Sequence, residues 1–189
     1  DPEQTTLAMM DAAAGRSYNE LCERHKADYT NLFDRVRLTL NPHAPMTLQY
    51  PAVTDLPTYQ RLARYRKGNP DYKLEEIYYQ FGRYLLIASS RPGNLPANLQ
   101  GMWANGVDGP WHVDYHNNIN IQMNYWPVCS TNLDECAWPL IDFIRTLVKP
   151  GEKTAQAYFG ARGWTASISG NIFGFTSPLT DENMSWNFN

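Results

Sequence analysis

The sequence lacks a long apolar run, and this absence bears on membrane insertion. A helix needs about 20 mostly apolar residues to cross a bilayer, and the sequence contains no run of that length. Residues 1–6 also lack the positive and apolar regions of a signal peptide. We therefore expect no membrane partner, although a signal peptide that had already been removed would leave no trace.

An excess of positive charge is also missing. Sixteen lysines and arginines stand against 19 aspartates and glutamates, which gives a net charge of −3 at pH 7. Proteins that bind phosphate backbones usually carry a basic stripe or tail. We therefore expect no nucleic-acid partner.

Paired cysteines are absent too. Cys22, Cys129 and Cys136 are an odd number without C-x-x-C spacing, which argues against a disulfide framework and a zinc motif. One short run, His112-x-Asp114-x-His116, would place three metal-binding side chains on one face of an extended strand. We regard that run as a minor alternative and expect no metal and no cofactor.

Aromatic residues are plentiful, with 12 Tyr, 6 Trp and 7 Phe, and several of them neighbour Pro, Gly or Asn. Planar rings in loops can stack on sugars, but aromatic side chains also fill ordinary cores. Composition is therefore compatible with a carbohydrate ligand without demonstrating one.

Apolar residues at helical spacing predict a mainly α fold. The predicted helices are 17–38, 56–66, 71–88, 139–149 and 152–159, preceded by a weak Ala-rich lead-in at 1–16. Ser17 with Glu20 forms a capping box at the first of them, and Pro150-Gly151 is expected to separate the last two. Residues 39–55 read as extended, and residues 161–189 show no helical period.

The segment 91–117 is rich in glycine and proline, which predicts a long loop. Its apolar side chains are Leu95, Leu99, Met102, Trp103 and Trp111. Disordered segments rarely carry so much apolar surface, and long ordered loops often carry function. We therefore expect a structured loop that contributes to a site.

Beyond this loop, polar side chains recur at every second residue: His116, Asn118, Asn120, Gln122 and Asn124. In an extended backbone alternate side chains share one face, so at least the first half of this run would present an imidazole and two amides together. Such a face suits an uncharged, hydroxyl-rich ligand. The structural alternative is that the asparagines cap a helix starting near Ile121 and fasten the loop to its neighbours.

Sugar hydrolysis needs a proton donor and a base on opposite sides of the ring. Asp108 and Asp114 are the only acids between Glu76 and Asp134, and neither has a visible partner in the sequence. Carboxamides cannot ionise, but their oxygens can orient a water molecule. An acid from elsewhere would then be required.

Several stretches resemble the α-L-fucosidases of glycoside hydrolase family ninety-five. They are Gln80–Gly93, Leu95–Trp103, Pro110-Trp111 and His116–Pro127. The resemblance covers most of the chain and implies a partial (α/α)6 barrel with long structured loops. It implies that residues 17–189 are the N-terminal part of the catalytic domain and that residues 1–16 are a linker-like segment leading into it.

The resemblance also implies roles for individual residues. Asn118 and Asn120 match the paired asparagines that hold the attacking water in an inverting reaction, and His116 matches a histidine that contacts fucose. Trp186 matches a tryptophan near the sugar, while Gln100, Trp103 and Trp111 are expected to shape the pocket. The general acid, a glutamate, is expected beyond Asn189, so the chain alone is expected to be inactive.

The implied partner is a fucosylated oligosaccharide or polysaccharide, and the implied location is the periplasm, the cell surface or the exterior. Two alternatives remain open, an α-L-galactosidase of the same family and a non-catalytic glycan-binding or structural helical domain. His116 favours fucose, because some relatives carry Thr at this place. A half-barrel would expose the apolar faces of its helices, so we expect self-association.

Overall fold

The computed structural model describes residues 1–40, 55–106 and 109–179 of the chain. Within these ranges the helices are α1 (Pro2–Ala14), α2 (Tyr18–Phe33), α3 (Thr58–Tyr65), α4 (Tyr72–Ser89), α5 (Asn120–Tyr125), α6 (Pro127–Ser130) and α7 (Trp138–Phe159). Two short strands, β1 (Tyr115–His116) and β2 (Ser169–Gly170), pair antiparallel. The predicted mainly α class with long structured loops is confirmed. The segment predicted to be extended at 39–55 lies almost wholly outside the described residues.

The first compact unit, Asp1–Val36, consists of α1 and α2. The Ser17 hydroxyl accepts a hydrogen bond from the Glu20 amide at 3.2 Å, which confirms the predicted start of α2. The helix ends at Phe33 with Asp34 as its C-cap, so the prediction that it reaches residue 38 is wrong. The Ala-rich lead-in forms α1, which the Asp1 carboxylate caps.

The second compact unit begins at Arg37 and contains the remaining elements. The start of α4 is fixed by Asp71, whose carboxylate accepts from the Leu74 amide at 2.9 Å. The same carboxylate receives two hydrogen bonds from Arg61 of α3, at 2.8 and 2.9 Å. A bidentate pair between two buried side chains thus ties α3 to α4.

The predicted pair of helices at 139–149 and 152–159 is a single helix, α7, with Pro150 inside it. Proline removes one hydrogen bond of a helix interior, and the break expected there is overridden by packing. Gly151 is buried, and its carbonyl accepts from the Thr165 amide at 3.2 Å. The segment after the helix therefore packs on it next to the proline.

A buried hydroxyl network holds the long loop against the helices. The Tyr125 hydroxyl donates to Ser90 Oγ at 2.7 Å and accepts from the Ala97 amide at 2.8 Å. Ser90 in turn donates to the Cys136 carbonyl at 2.8 Å. Burial raises the pKa of Tyr125, so this phenol stays protonated and keeps its donor role.

None of the helices in the described ranges combines the length and the hydropathy that crossing a membrane requires.

Candidate functional site

The polar run does not form the extended face that its alternation predicted. Only Tyr115 and His116 are extended, residues 117–119 form a turn, and α5 begins at Asn120. The reason is the burial of Ile121, Tyr125 and Val128, whose spacing of four and then three residues puts them on one face of a helix but on opposite faces of a strand. The prediction of one strand face shared by His116, Asn118 and Asn120 is therefore wrong.

The structural alternative is confirmed in part. A helix does start at Asn120, within one residue of the predicted Ile121, but Ile119 is its N-cap residue and no asparagine side chain caps it. Other amides of the run do fasten the loop. Asn117 donates to the Ser167 carbonyl at 2.9 Å, Gln122 to the Asn117 carbonyl at 2.8 Å and Asn124 to the Asn98 carbonyl at 3.0 Å. These three side chains have structural roles.

Asn118 and Asn120 differ from those neighbours. Both are half-buried, and neither side chain hydrogen-bonds to any residue that the structure describes. These two carboxamides are therefore the members of the run that are available to a ligand or to ordered water.

Next to them, His116 is held by a carboxylate. Its Nδ1 lies 3.0 and 3.2 Å from the two oxygens of Asp114. The Ser169 hydroxyl donates to the same carboxylate from β2, opposite His116 in the strand register. The side chains of His116 and Asp114 are only 15% and 8% exposed, so solvent has little access to this cluster.

Trp111 lies beside this cluster, with its ring 5.8 Å from the imidazole of His116. Its side chain is 71% exposed, and its backbone has φ of 56°, an uncommon conformation for a residue with a Cβ. An exposed indole at this distance offers an apolar wall next to a polar group.

Gln100 and Trp103 line a neighbouring cavity of about 380 Å³, together with Leu86, Ala97 and Asn124. Gln100 donates to the Pro110 carbonyl at 3.1 Å, while its Oε1 is buried and has no partner within the described ranges. A second cavity of about 520 Å³ is lined by Asp114 and Ser169 among others. Of the predicted site residues, Gln100 and Trp103 thus line the first cavity, whereas Trp111, His116, Asn118 and Asn120 line neither of these two cavities. Trp186 lies outside the described residues.

No group of three or more His, Cys, Asp or Glu side chains in the described ranges could hold a metal ion. The His112-x-Asp114-x-His116 run is consequently not gathered into a metal site. Its carboxylate is occupied by His116 and Ser169 instead.

Sequence reasoning missed Ser169. This serine lies more than 50 positions from Asp114 and belongs to a segment without any periodic pattern. It reaches the site only through the pairing of β1 with β2. No local signal in the sequence could have revealed that pairing.

Comparison with known proteins shows which family the chain matches. The model for the glycosyl hydrolase family 95 catalytic domain matches residues 17–189. Alpha-L-fucosidase 2 of Arabidopsis thaliana is 40% identical over 178 residues, which cover 94% of this chain and 21% of the relative. Probable alpha-fucosidase A of Aspergillus niger is 37% identical over 180 residues, 94% of this chain and 22% of the relative. Its counterpart in Aspergillus oryzae is 34% identical over 180 residues, 95% of this chain and 24% of the relative.

Proposed function

The chain belongs to glycosyl hydrolase family 95, and on this premise we propose that it is part of the catalytic domain of an α-L-fucosidase. The observation that carries the proposal is the family match across residues 17–189, which contains the whole run from His116 to Pro127. The reaction is the removal of terminal α-linked L-fucose from oligosaccharides or polysaccharides. Residues 17–189 then form the N-terminal part of an (α/α)6 barrel, and residues 1–16 a linker-like segment.

In the proposed reaction, Asn118 and Asn120 hold the attacking water through their carbonyl oxygens. The support is physical: both amides are half-buried and uncommitted among the described residues, whereas Asn117 and Asn124 are used in the fold. An amide oxygen accepts a hydrogen bond from water and orients its lone pair toward the anomeric carbon. The water then attacks opposite the leaving group, and the configuration inverts.

The carboxyl groups that move protons are proposed to lie outside these 189 residues. An amide cannot take up the proton that the water loses, and Asp114, the carboxylate beside His116, is already engaged by His116 and Ser169. The chain spans 21–24% of the length of the three relatives. Most of such a protein therefore remains to supply an acid and a base.

His116 and Trp111 are proposed to contact the fucose. Imidazole nitrogen can hydrogen-bond a hydroxyl group, and an exposed indole can cover the apolar face of a sugar ring. Gln100 and Trp103 are proposed to shape the adjoining cavity, and Trp186 to lie near the sugar. A substrate found on external polysaccharides implies a location in the periplasm, on the cell surface or outside the cell.

The proposal is tested by incubating the full-length protein with an aryl α-L-fucoside and an aryl α-L-galactoside. We expect a higher kcat/KM for the fucoside and, by proton NMR, release of β-L-fucose before mutarotation. Initial release of α-L-fucose would contradict inversion. A preference for the galactoside would make the protein an α-L-galactosidase, and absence of turnover on both would overturn the proposal.

A parallel assay of the 189-residue chain tests where the acid lies. We expect no turnover above background, because the acid and the base are proposed to lie outside these 189 residues. Turnover equal to that of the full-length protein would place the acid within these residues.

A further inference from the structure

Asp114 is the most constrained carboxylate of the described site. One of its oxygens accepts from the Ser169 hydroxyl, and both lie within hydrogen-bond distance of His116 Nδ1, at 3.0 and 3.2 Å. Its backbone is held as well, because its carbonyl accepts from the Leu99 amide at 3.2 Å. With 8% of its side chain exposed, Asp114 has little freedom to adopt another arrangement.

This contact dictates the protonation of the imidazole. An ionised carboxylate only accepts hydrogen bonds, so Nδ1 must be the nitrogen that carries hydrogen. In the neutral ring Nε2 is then left with a lone pair. Within the described ranges Nε2 has no hydrogen-bond partner, since the bonds recorded for this side chain both involve Nδ1.

The fold brings the three side chains together through a long-range pairing. Ser169 stands opposite His116 in the antiparallel register, and the Asn117 amide donates to the Ile168 carbonyl at 2.6 Å. The Asn117 side chain adds a bond to the Ser167 carbonyl at 2.9 Å. The backbone pairing of residues 167–170 with residues 115–117 therefore holds Ser169 against the Asp114 carboxylate.

We propose that Asp114 is a positioning residue that holds His116 in the Nδ1–H tautomer, so that Nε2 accepts a hydrogen bond from a ligand hydroxyl group. Ser169 completes the arrangement by fixing the carboxylate. This inference rests on the proposed function for the identity of the ligand, a neutral sugar. It assigns His116 an acceptor role and thereby selects a hydroxyl donor at this point of the ligand.

The tautomer is measured directly by solid-state nitrogen-15 NMR of full-length protein labelled at histidine, without substrate, at about pH 8.5, where free imidazole is neutral. The His116 signals are assigned by their loss in His116→Gln. We expect a protonated Nδ1 and a bare Nε2. A proton on Nε2 of the unmodified protein would overturn the inference, and this outcome needs no variant of Asp114.

Asp114→Asn provides the second arm, because its amide group can donate to Nδ1 as well as accept from it. We expect the Nε2–H tautomer to appear and KM for the aryl fucoside to rise about 10-fold, with a smaller change in kcat, as a lost ground-state contact predicts. Ser169→Ala should keep the tautomer and raise KM less. The exposed Asp134→Asn is the matched control and should change neither.

An unchanged tautomer in Asp114→Asn would overturn the positioning role. Because the NMR measurement needs no turnover, it separates this inference from the proposed function. A protein that shows the expected tautomer but hydrolyses no fucoside would refute the fucosidase proposal and leave the role of Asp114 standing.

Discussion

At the scale of single residues, Asn118 and Asn120 can be tested against other asparagines of the same chain. Replacing either with alanine in the full-length protein should lower kcat on an aryl α-L-fucoside by about 100-fold, the cost typical of losing a group that acts on developing charge. Stability should change little, since neither side chain bonds to the described fold. Asn94→Ala, at an exposed loop position, is the control and should keep full activity.

A second residue-scale prediction concerns pH. The hydrogen bonds from Arg61 hold the pKa of Asp71 below its usual value, although burial opposes this shift. A carboxyl group whose folded pKa is lowered contributes stability above its unfolded pKa of about 3.9, and the contribution is lost as pH falls through the folded pKa. Urea unfolding at pH 7 and pH 3 should therefore show a loss of stability at the lower pH.

The variant Asp71→Asn shows how much of the loss of stability between pH 7 and pH 3 is due to the ion pair of Asp71 with Arg61. The variant should be less stable than the unmodified protein at pH 7 by about 3 kcal/mol, because it leaves Arg61 buried without its partner charge. The difference in the free energy of unfolding between the variant and the unmodified protein should be smaller at pH 3. An equal difference in stability at both pH values would show that Asp71 does not cause the loss of stability at low pH.

The alternation marked the whole polar run from His116 to Asn124, and the family resemblance picked out Asn118 and Asn120 from it. Alternation predicted that His116, Asn118 and Asn120 share a strand face, whereas His116 lies in β1, Asn118 in a turn and Asn120 at the start of α5. Ser169 was unreadable, because its role depends on a contact across more than 50 residues.

At the scale of elements, two helical glycines form a matched pair. A Cβ built on Gly151 of α7 would lie 2.7 Å from the Thr165 carbonyl oxygen, whereas one built on Gly82 of α4 meets nothing within 4 Å. Gly151→Ala should therefore destabilise the protein by about 1 to 3 kcal/mol through overpacking. Gly82→Ala should stabilise it by about 0.5 to 1 kcal/mol through helix propensity.

Urea unfolding of both variants measures the difference. Equal effects of the two substitutions would show that the contact between α7 and residues 164–165 is not what keeps the helix continuous past Pro150. The same contact explains why two helices were predicted where the structure has the single helix α7. Pro150-Gly151 is a local stop signal, and only the tertiary packing on the glycine reveals that the helix continues.

Elements with strong local signals were predicted well. The helix α4 lies within one residue of its predicted bounds, and α2 begins at its capping box. Helix ends without such signals, as at Phe33, were misplaced by several residues. Cap chemistry and apolar period are local properties, while the end of α2 and the pairing of β1 with β2 are not.

At the scale of the whole chain, the apolar surface of α4 predicts association. Its exposed side chains include Tyr78 at 79% and Phe81 at 51% exposure. Apolar patches of this kind usually mark contact surfaces. The 189-residue chain should therefore self-associate in analytical ultracentrifugation, and a concentration-independent monomer would contradict this.

A double substitution, Tyr78→Lys with Phe81→Lys, should shift the equilibrium toward the monomer. Tyr59→Lys, at a side chain of α3 that is 69% exposed, is the control and should leave association unchanged. Equal dissociation by both would indicate a general effect of added charge and would count against a contact through α4.

The most direct test of the central claim is a crystal structure of the full-length protein with L-fucose bound. We predict that the carboxamide oxygens of Asn118 and Asn120 hydrogen-bond the β-anomeric hydroxyl or a water molecule at its position, with His116 Nε2 facing another hydroxyl group of the sugar. A structure in which both amides turn away from the anomeric carbon, and other groups hold the water, would contradict the account.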